Sequence, residues 1–223
     1  MSFSKKIKYF LVHTLAYTNK RAQELIDKGL VEIDGQIIST NCLLDAGAEV
    51  RVNGTLERER QNFIYLKFYK PAGFQSSLNE GVDHHLAEFF RDYQNLSIAG
   101  RLDKMSEGLL LLSNDGKWVE NMCNPKFEKE KEYLVTLDRI PGTDFAAAFS
   151  RGVNIVDYVT KPCECVVIGG NQINVILKEG KNRQIRRMGK ALGYQVTGLK
   201  RVRIDMVYLG TLPAGVSEQI FPF

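Results

Sequence analysis

Residues 99–116 read AGRLDKMSEGLLLLSNDG. Within them four leucines in succession, Leu109 to Leu112, are bounded by Gly108 on one side and Asn114-Asp115-Gly116 on the other. A short apolar run stopped by turn residues predicts a strand buried on both faces that ends in a tight turn. A second apolar run, Leu96 to Ala99, lies across a charged loop carrying Arg101, Asp103, Lys104, Ser106 and Glu107. Asp103 is thus a carboxylate on a loop gripped by two rigid elements. On its own it reads as a turn residue, since Asp in a Gly-flanked loop ordinarily serves the turn.

The same stretch resembles the signature of the pseudouridine synthases that act on ribosomal RNA, in which G-R-L-D, two residues, Ser or Thr, and then G-L-L-L-L introduce the catalytic aspartate. The match runs from Gly100 through Gly116 almost unbroken. It implies that Asp103 is the nucleophile.

A chain of 223 residues with 44% hydrophobic content can bury a sizeable core, and two unequal domains fit it best. The net charge is +4, with a pI near 8.8. That excess is clustered: Lys178 to Arg203 holds nine Lys and Arg against the single acid Glu179, the footprint of a surface that meets polyphosphate. Cys42, Cys123, Cys163 and Cys165 lack the paired spacing of a zinc site, and the His84-His85 pair has no ligand-spaced neighbours, so no metal is expected. Cys163 and Cys165 fall two apart in a strand-like run and should pack on one face. No apolar stretch approaches a membrane span, and the expectation is a cytoplasmic protein in a reducing compartment.

Residues 1–57 read as one small domain. Tyr9 to Leu15 predicts one helix, and Thr18-Asn19 followed by Ala22, Leu25 and Ile26 predicts a second, ended by Gly29. Val31 to Ile38 across Asp34-Gly35 reads as a hairpin, and Glu49 to Val52 as a further strand. This order, with K-R-A-Q-E-L-I-D-K-G-L-V-E-I-D-G, resembles the alpha-L RNA-binding module first known from a small-subunit ribosomal protein. Lys6-Ile7-Lys8 stands where that module has Arg-Leu-Asp, and Gly47-Ala48 where it has Gly-Asp. The resemblance implies that Lys20, Arg21 and Lys28 offer charge to phosphates; the alternative reading of the same three residues is a solvated helix face.

Residues 58–62 are charged, without apolar periodicity, and read as a linker; residues 63–223 form the second domain. Phe63 to Tyr69 is a β-rich run stopped by Lys70-Pro71-Ala72-Gly73, which resembles the first motif of the same synthases. Leu86 to Phe90, Trp118 to Met122 and Asp144 to Phe149 predict short helices. Lys131 to Leu137, Gly152 to Ile155, Cys163 to Ile168 and Gln172 to Leu177 predict strands. Many strands with a few helices between them give an α+β domain on a mostly antiparallel sheet.

The last motif is Glu179-Gly180-Lys181-Asn182-Arg183-Gln184-Ile185-Arg186-Arg187-Met188. Asn182 can cap a helix in which Arg183, Arg186, Arg187 and Lys190 share one side, while Ile185, Met188 and Leu192 share the other. Four like charges in one stripe repel unless anions lie against them. E-G-x-x-R-Q-I-R-R-M is again a motif of the synthases, and it implies that a basic residue at this helix start, Arg186 or else Arg187, pairs with Asp103 and keeps it ionised. Tyr133, in Lys131-Glu132-Tyr133-Leu134-Val135, matches the family tyrosine; by propensity alone it reads as a packed strand residue.

What the resemblance implies is isomerisation of uridine to pseudouridine in RNA, catalysed by Asp103, Tyr133 and Arg186, with Arg101, Lys104, Lys131, Arg183, Arg187, Lys190, Lys20, Arg21 and Lys28 contacting RNA and no cofactor required. K-E-Y-L-V-T, V-T-K-x-C and N-R-Q-I-R-R-M most resemble the F type of bacterial large-subunit synthase, which implies 23S ribosomal RNA as partner, with tRNA or 16S ribosomal RNA as alternatives. A non-catalytic RNA-binding or assembly protein is the rival class, and a carboxylate in an otherwise basic groove argues against it. No heptad or apolar stripe predicts self-association, so a monomer is expected.

Overall fold

In the computed structural model, which describes residues 6–45 and 47–221, the chain divides into two units between Phe63 and Ile64. The first unit opens with α1 (Ile7–His13) and α2 (Asn19–Asp27). Thr18 caps α2 by accepting from the Arg21 N–H at 3.1 Å, and Gly29 ends it at φ +64°. β1 (Val31–Ile33) and β2 (Gln36–Ile38) form the hairpin that Asp34-Gly35 predicts, both turn residues taking left-handed φ. β3 (Val50–Val52) pairs with β1, and a strand the sequence reading lacked, β4 (Thr55–Arg58), returns along it through Asn53-Gly54. Ile7, Leu11, Leu25, Ile26, Val31 and Val50 are fully buried in this unit's core, each worth about 1.5 to 3 kcal/mol.

Residues 58–62 are tied into the first unit, which corrects their reading as a linker. The Arg58 guanidinium donates to the carbonyls of Ala48 and Asp45, both at 2.7 Å, and the Gln61 N–H donates to Gly47 O at 2.8 Å. A planar fork of donors suits two carbonyls at once, so the charged run is structure rather than spacer.

The second unit carries one sheet. Its strands are β5 (Tyr65–Lys70), β6 (Ser97–Ala99), β7 (Glu107–Ser113), β8 (Lys131–Leu137), β9 (Glu164–Gly169), β10 (Gln172–Leu177), β11 (Val196–Ile204), β12 (Val207–Tyr208) and β13 (Ser217–Gln219). They run in the order β13-β5-β7-β11-β8-β10-β9, with β6 on β7 and β12 on β11. Among the described residues β7 and β11 pair in parallel and the other neighbours antiparallel, which makes the domain α+β on a mostly antiparallel sheet. Leu109 to Leu112 are completely buried, as a continuous apolar run at mid-sheet requires.

Packed on the sheet are α3 (Gly116–Cys123), α4 (Phe145–Ser150) and α5 (Gln184–Ala191). The predicted tight turn after the leucines is instead a helix start, where Asp115 accepts from the N–H groups of Lys117 and Trp118. Gly152 to Ile155 is not a strand: Gly152 and Val156 take positive φ and leave only an isolated bridge between Asn154 and Val159. Cys165 is buried and Cys163 packs against the same core, with burial pushing their thiols up to about 12 and about 11. Among the described residues no helix is long and apolar enough to cross a membrane.

One row of the register positions everything that follows: Lys70 on β5, Gly108 on β7, Arg201 on β11 and Tyr133 on β8 stand directly opposite one another in turn. Residues so paired project from the same face of the sheet. Gly108 has φ +104°, and a Cβ there would stand 2.3 Å from the Arg201 carbonyl oxygen. Only a residue without a side chain lets β7 and β11 approach this closely.

Candidate active site

A cleft of about 220 Å³ opens at the Arg201 and Tyr133 end of this row, with Asp103, Lys131, Arg183 and Leu199 also in its walls. Asp103 lies on the loop between β6 and β7, and the loop is fastened by its backbone. The Lys70 ammonium, wholly buried, donates to Pro71 O at 2.8 Å, Phe74 O at 2.7 Å and Lys104 O at 3.3 Å. From Arg201, Nε donates to Leu109 O at 2.7 Å and Nη1 to Arg101 O at 3.4 Å. Ser76 Oγ accepts from the Leu102 N–H at 2.9 Å and donates to Leu102 O at 2.8 Å. Burial pushes the Lys70 pKa down to about 8, with Asp103 and Glu107 opposing the shift.

An ion-pair contact to the Asp103 carboxylate comes from Arg183, at 3.9 Å, while Arg186, the expected partner, acts on Asp103 as a neighbouring charge. The reason lies at the helix start. α5 begins at Gln184, not after a cap at Asn182; Arg183 itself is the capping position, in the left-handed region at φ 50°. Its side chain therefore leaves the helical stripe and turns to the cleft. Gln184 holds the bend, donating to Glu179 at 2.7 Å and accepting from the Lys181 N–H at 3.0 Å. With Arg183 half exposed and the contact longer than a hydrogen bond, the pair is worth about 1 kcal/mol or less.

Arg186 does a different job. It donates to Val196 O at 2.8 Å, to Met105 O at 3.1 Å and to Ser106 Oγ at 3.3 Å, so it joins α5 to the Asp103 loop and to β11. Burial and then Arg183 press its pKa down, and Asp103 acts in the opposite direction. Arg187 turns away, to Asp157 and the Ile155 carbonyl. Lys190 is exposed on the helix surface.

Tyr133 is buried in the cleft wall beside Arg201. Lys131 lines the same cleft and donates to Lys129 O at 2.9 Å; burial, then Arg201, lower its pKa. Arg101 and Lys104 keep exposed side chains while their carbonyls are bonded inward. Lys20, Arg21 and Lys28 belong to the first unit, where all three are exposed and Arg21 meets Glu24 at 3.3 Å. Among the described residues no group of His, Cys, Asp or Glu could hold a metal ion.

The roles of Lys70 and Arg201 were not assigned from the sequence, although Lys70 opens the K-P-A-G motif and Arg201 falls in the basic cluster. Each sits on a strand at a position whose alternation points inward, and a charged residue at such a position is the signal that could have found them.

A carboxylate set among cations in a cleft marks a protein that does chemistry on a polyanion rather than only holding it. The family model of RNA pseudouridylate synthase matches residues 64–191. The dual-specificity RNA pseudouridine synthase RluF of Salmonella typhi is 33% identical over 214 residues, which cover 95% of this chain and 74% of that protein. Ribosomal large subunit pseudouridine synthase B of Bacillus subtilis is 29% identical over 227 residues, covering 98% and 93%. A pseudouridylate synthase crystal structure superposes with a TM-score of 0.67 at 30% identity, over 98% of this chain and 96% of that one. The chain belongs to the RNA pseudouridylate synthase family. It is an RNA uridine isomerase.

Proposed function

We propose that the substrate is a uridine of large-subunit ribosomal RNA and that Asp103 is the nucleophile. The observation that carries the second point is the position of the Asp103 carboxylate: in one cleft with Tyr133, 3.9 Å from Arg183, on a loop fastened through its carbonyls. A target base must leave its stack to reach such a site. The carboxylate acts on the ribose, by attack at C1′ or by assisting elimination, or on the base, and the bond from C1′ to N1 breaks. The freed uracil turns, and its C5 bonds to C1′. The C5 proton is lost and N1 gains one, so the sum is an isomerisation that consumes nothing. Tyr133 offers a ring to stack on the base and a hydroxyl to move a proton.

The large-subunit reading follows the name of the Bacillus relative; the resemblance of the catalytic motifs to the F type makes tRNA the second RNA to test, and the Salmonella relative is named for a dual specificity. Residues 1–57 act as the alpha-L module, with Lys20, Arg21 and Lys28 toward phosphate, and residues 63–223 are the catalytic domain. Arg101, Lys104, Lys131 and Arg183 border the reacting nucleotide, whereas Arg187 and Lys190 contact RNA beyond it. The enzyme works as a cytoplasmic monomer. Wild type and Asp103→Asn, incubated with unmodified 23S RNA and with tRNA transcripts, give the test by mapping pseudouridine at nucleotide resolution. One Asp103-dependent site in 23S RNA is expected; modification that survives Asp103→Asn refutes the nucleophile.

A further inference from the structure

Arg201 is the largest of the fully buried side chains, and it carries a charge. Its hydrogen-bond partners are two carbonyls, Leu109 O and Arg101 O, not a carboxylate, and among the described residues its Nη2 has no partner although it too is buried. A buried cation held only by carbonyls is a poor way to fill space. Apolar side chains of similar volume are commonly neutral or better for stability even against a buried ion pair. An unsatisfied buried donor adds a further 1 to 3 kcal/mol, roughly. Folding alone does not account for this residue.

Its position does. Arg101 stands at the start of the Asp103 loop and Leu109 inside β7, the strand that follows it, and one rigid guanidinium bridges them. Gly108, opposite Arg201 in the register, supplies the opening through which β11 comes close enough to do so. Lys70, on the other flank of Gly108, fastens the middle of the loop at Lys104 O. We infer that Arg201 is a positioning residue of the reaction: it fixes the Asp103 carboxylate by tying the start of its loop to the strand that follows it, at a cost in stability. The inference rests on Asp103 being the reacting group.

The test uses the full chain and Arg201→Met, an apolar replacement of similar length. Amide hydrogen exchange reads the clamp without any RNA. Exchange across residues 101–107 should quicken by roughly tenfold or more in the variant and stay unchanged elsewhere, while the melting temperature stays within a few degrees of wild type, the two carbonyls left unbonded offsetting the buried charge and unpaired donor removed. With a 23S RNA transcript, kcat should fall about a hundredfold and KM stay within a few-fold, as a misplaced reacting group demands. Unchanged exchange in the loop, a clear drop in melting temperature, or wild-type kcat overturns the proposal. If Arg201→Met does not fold, Arg201→Lys carries the test: it keeps the charge and reaches one carbonyl, so full wild-type kcat refutes the clamp and a kcat loss at constant KM supports it. Asp103→Asn is run alongside. Activity that survives in Asp103→Asn removes the reading of Asp103, whereas an inactive Asp103→Asn beside a fully active Arg201→Met removes the clamp alone.

Discussion

Arg183 reaches within 3.9 Å of the Asp103 carboxylate from a backbone held left-handed, at φ 50°, in the residue before α5. For a non-glycine residue that conformation costs about 1 to 2 kcal/mol, and the Glu179 and Gln184 bonds around it keep it in place. The strain has a use: it takes Arg183 out of the helical stripe and into the cleft wall, while Arg186, within that stripe, reaches the same loop at Met105 O and Ser106 Oγ.

Asp103→Asn keeps the size of the side chain and removes its charge. Pseudouridine formation should fall below detection, while RNA affinity stays within a few-fold, because the many phosphate contacts of the cations are untouched. Single-turnover assays and filter binding on the same preparation check both halves. Affinity lost in step with activity would make Asp103 a binding residue.

The three arginines of the helix start should separate cleanly by kinetics. Arg183→Ala removes a half-exposed pair worth about 1 kcal/mol and should lower kcat about fivefold. Arg186→Ala removes bonds to a half-buried acceptor on β11 and an exposed one on the Asp103 loop, so it should also lower stability by about 1 kcal/mol and cut kcat more deeply. Arg187→Ala, whose partners are Asp157 and Ile155, should raise KM with little change in kcat. Equal kcat losses in all three would contradict these separate roles.

Much of this was legible in the chain itself. The leucine run, the Asp34-Gly35 hairpin and the Thr18 cap are local signals, each decided by residues close in sequence, and the strands and helices fall where those signals put them. The Arg183 contact to Asp103 was not legible, because one residue in the left-handed region brings that arginine to the cleft and no side-chain periodicity encodes it. The roles of Lys70 and Arg201 were hidden for another reason: the two residues come together only through register, from strands about 130 residues apart (70 against 201) across a glycine on a third. The β4 strand and the fastening of residues 58–62 came from backbone bonds that charged residues can make as well as apolar ones.

The glycine on that third strand makes a sharp prediction. Gly108→Ala adds one methyl at φ +104°, 2.3 Å from the Arg201 carbonyl, where neither strand can yield without breaking the parallel pairing. Backbone strain and overpacking together should cost about 3 to 5 kcal/mol. Chemical denaturation checks it; a loss under about 1 kcal/mol would show that the strands part easily there.

In the first unit, the exposed Lys20, Arg21 and Lys28 are tested by salt rather than by turnover. Each phosphate neutralised contributes about 0.7 to 0.9 to the slope of log affinity against log salt. Replacing all three with alanine should flatten the slope by about 2 and leave single-turnover kcat at saturating RNA unchanged. An unaltered slope would place these residues on a merely solvated face.

Lys70 supplies a test by pH. Its pKa is held at about 8 by burial, against 10.5 for an ordinary lysine, with Asp103 and Glu107 working against the shift and Arg201 with it. Near neutral pH the folded and unfolded chains both carry the proton, and Lys70 gives no pH dependence. Between about 8 and 10.5 the unfolded chain keeps a proton that the folded chain has released, so stability from this residue rises with pH. The full shift corresponds to about 3 kcal/mol. The thiols of Cys163 and Cys165, held high by burial, titrate in the opposite sense, but they are common to wild type and Lys70→Met and cancel in the difference. The unfolding free energy of wild type minus that of Lys70→Met should therefore be flat near neutral pH and climb by up to about 3 kcal/mol across the alkaline window. A difference that stays level there would mean the buried amine titrates like a solvated one, and the loop that carries Asp103 would not be fastened by a desolvated cation at all.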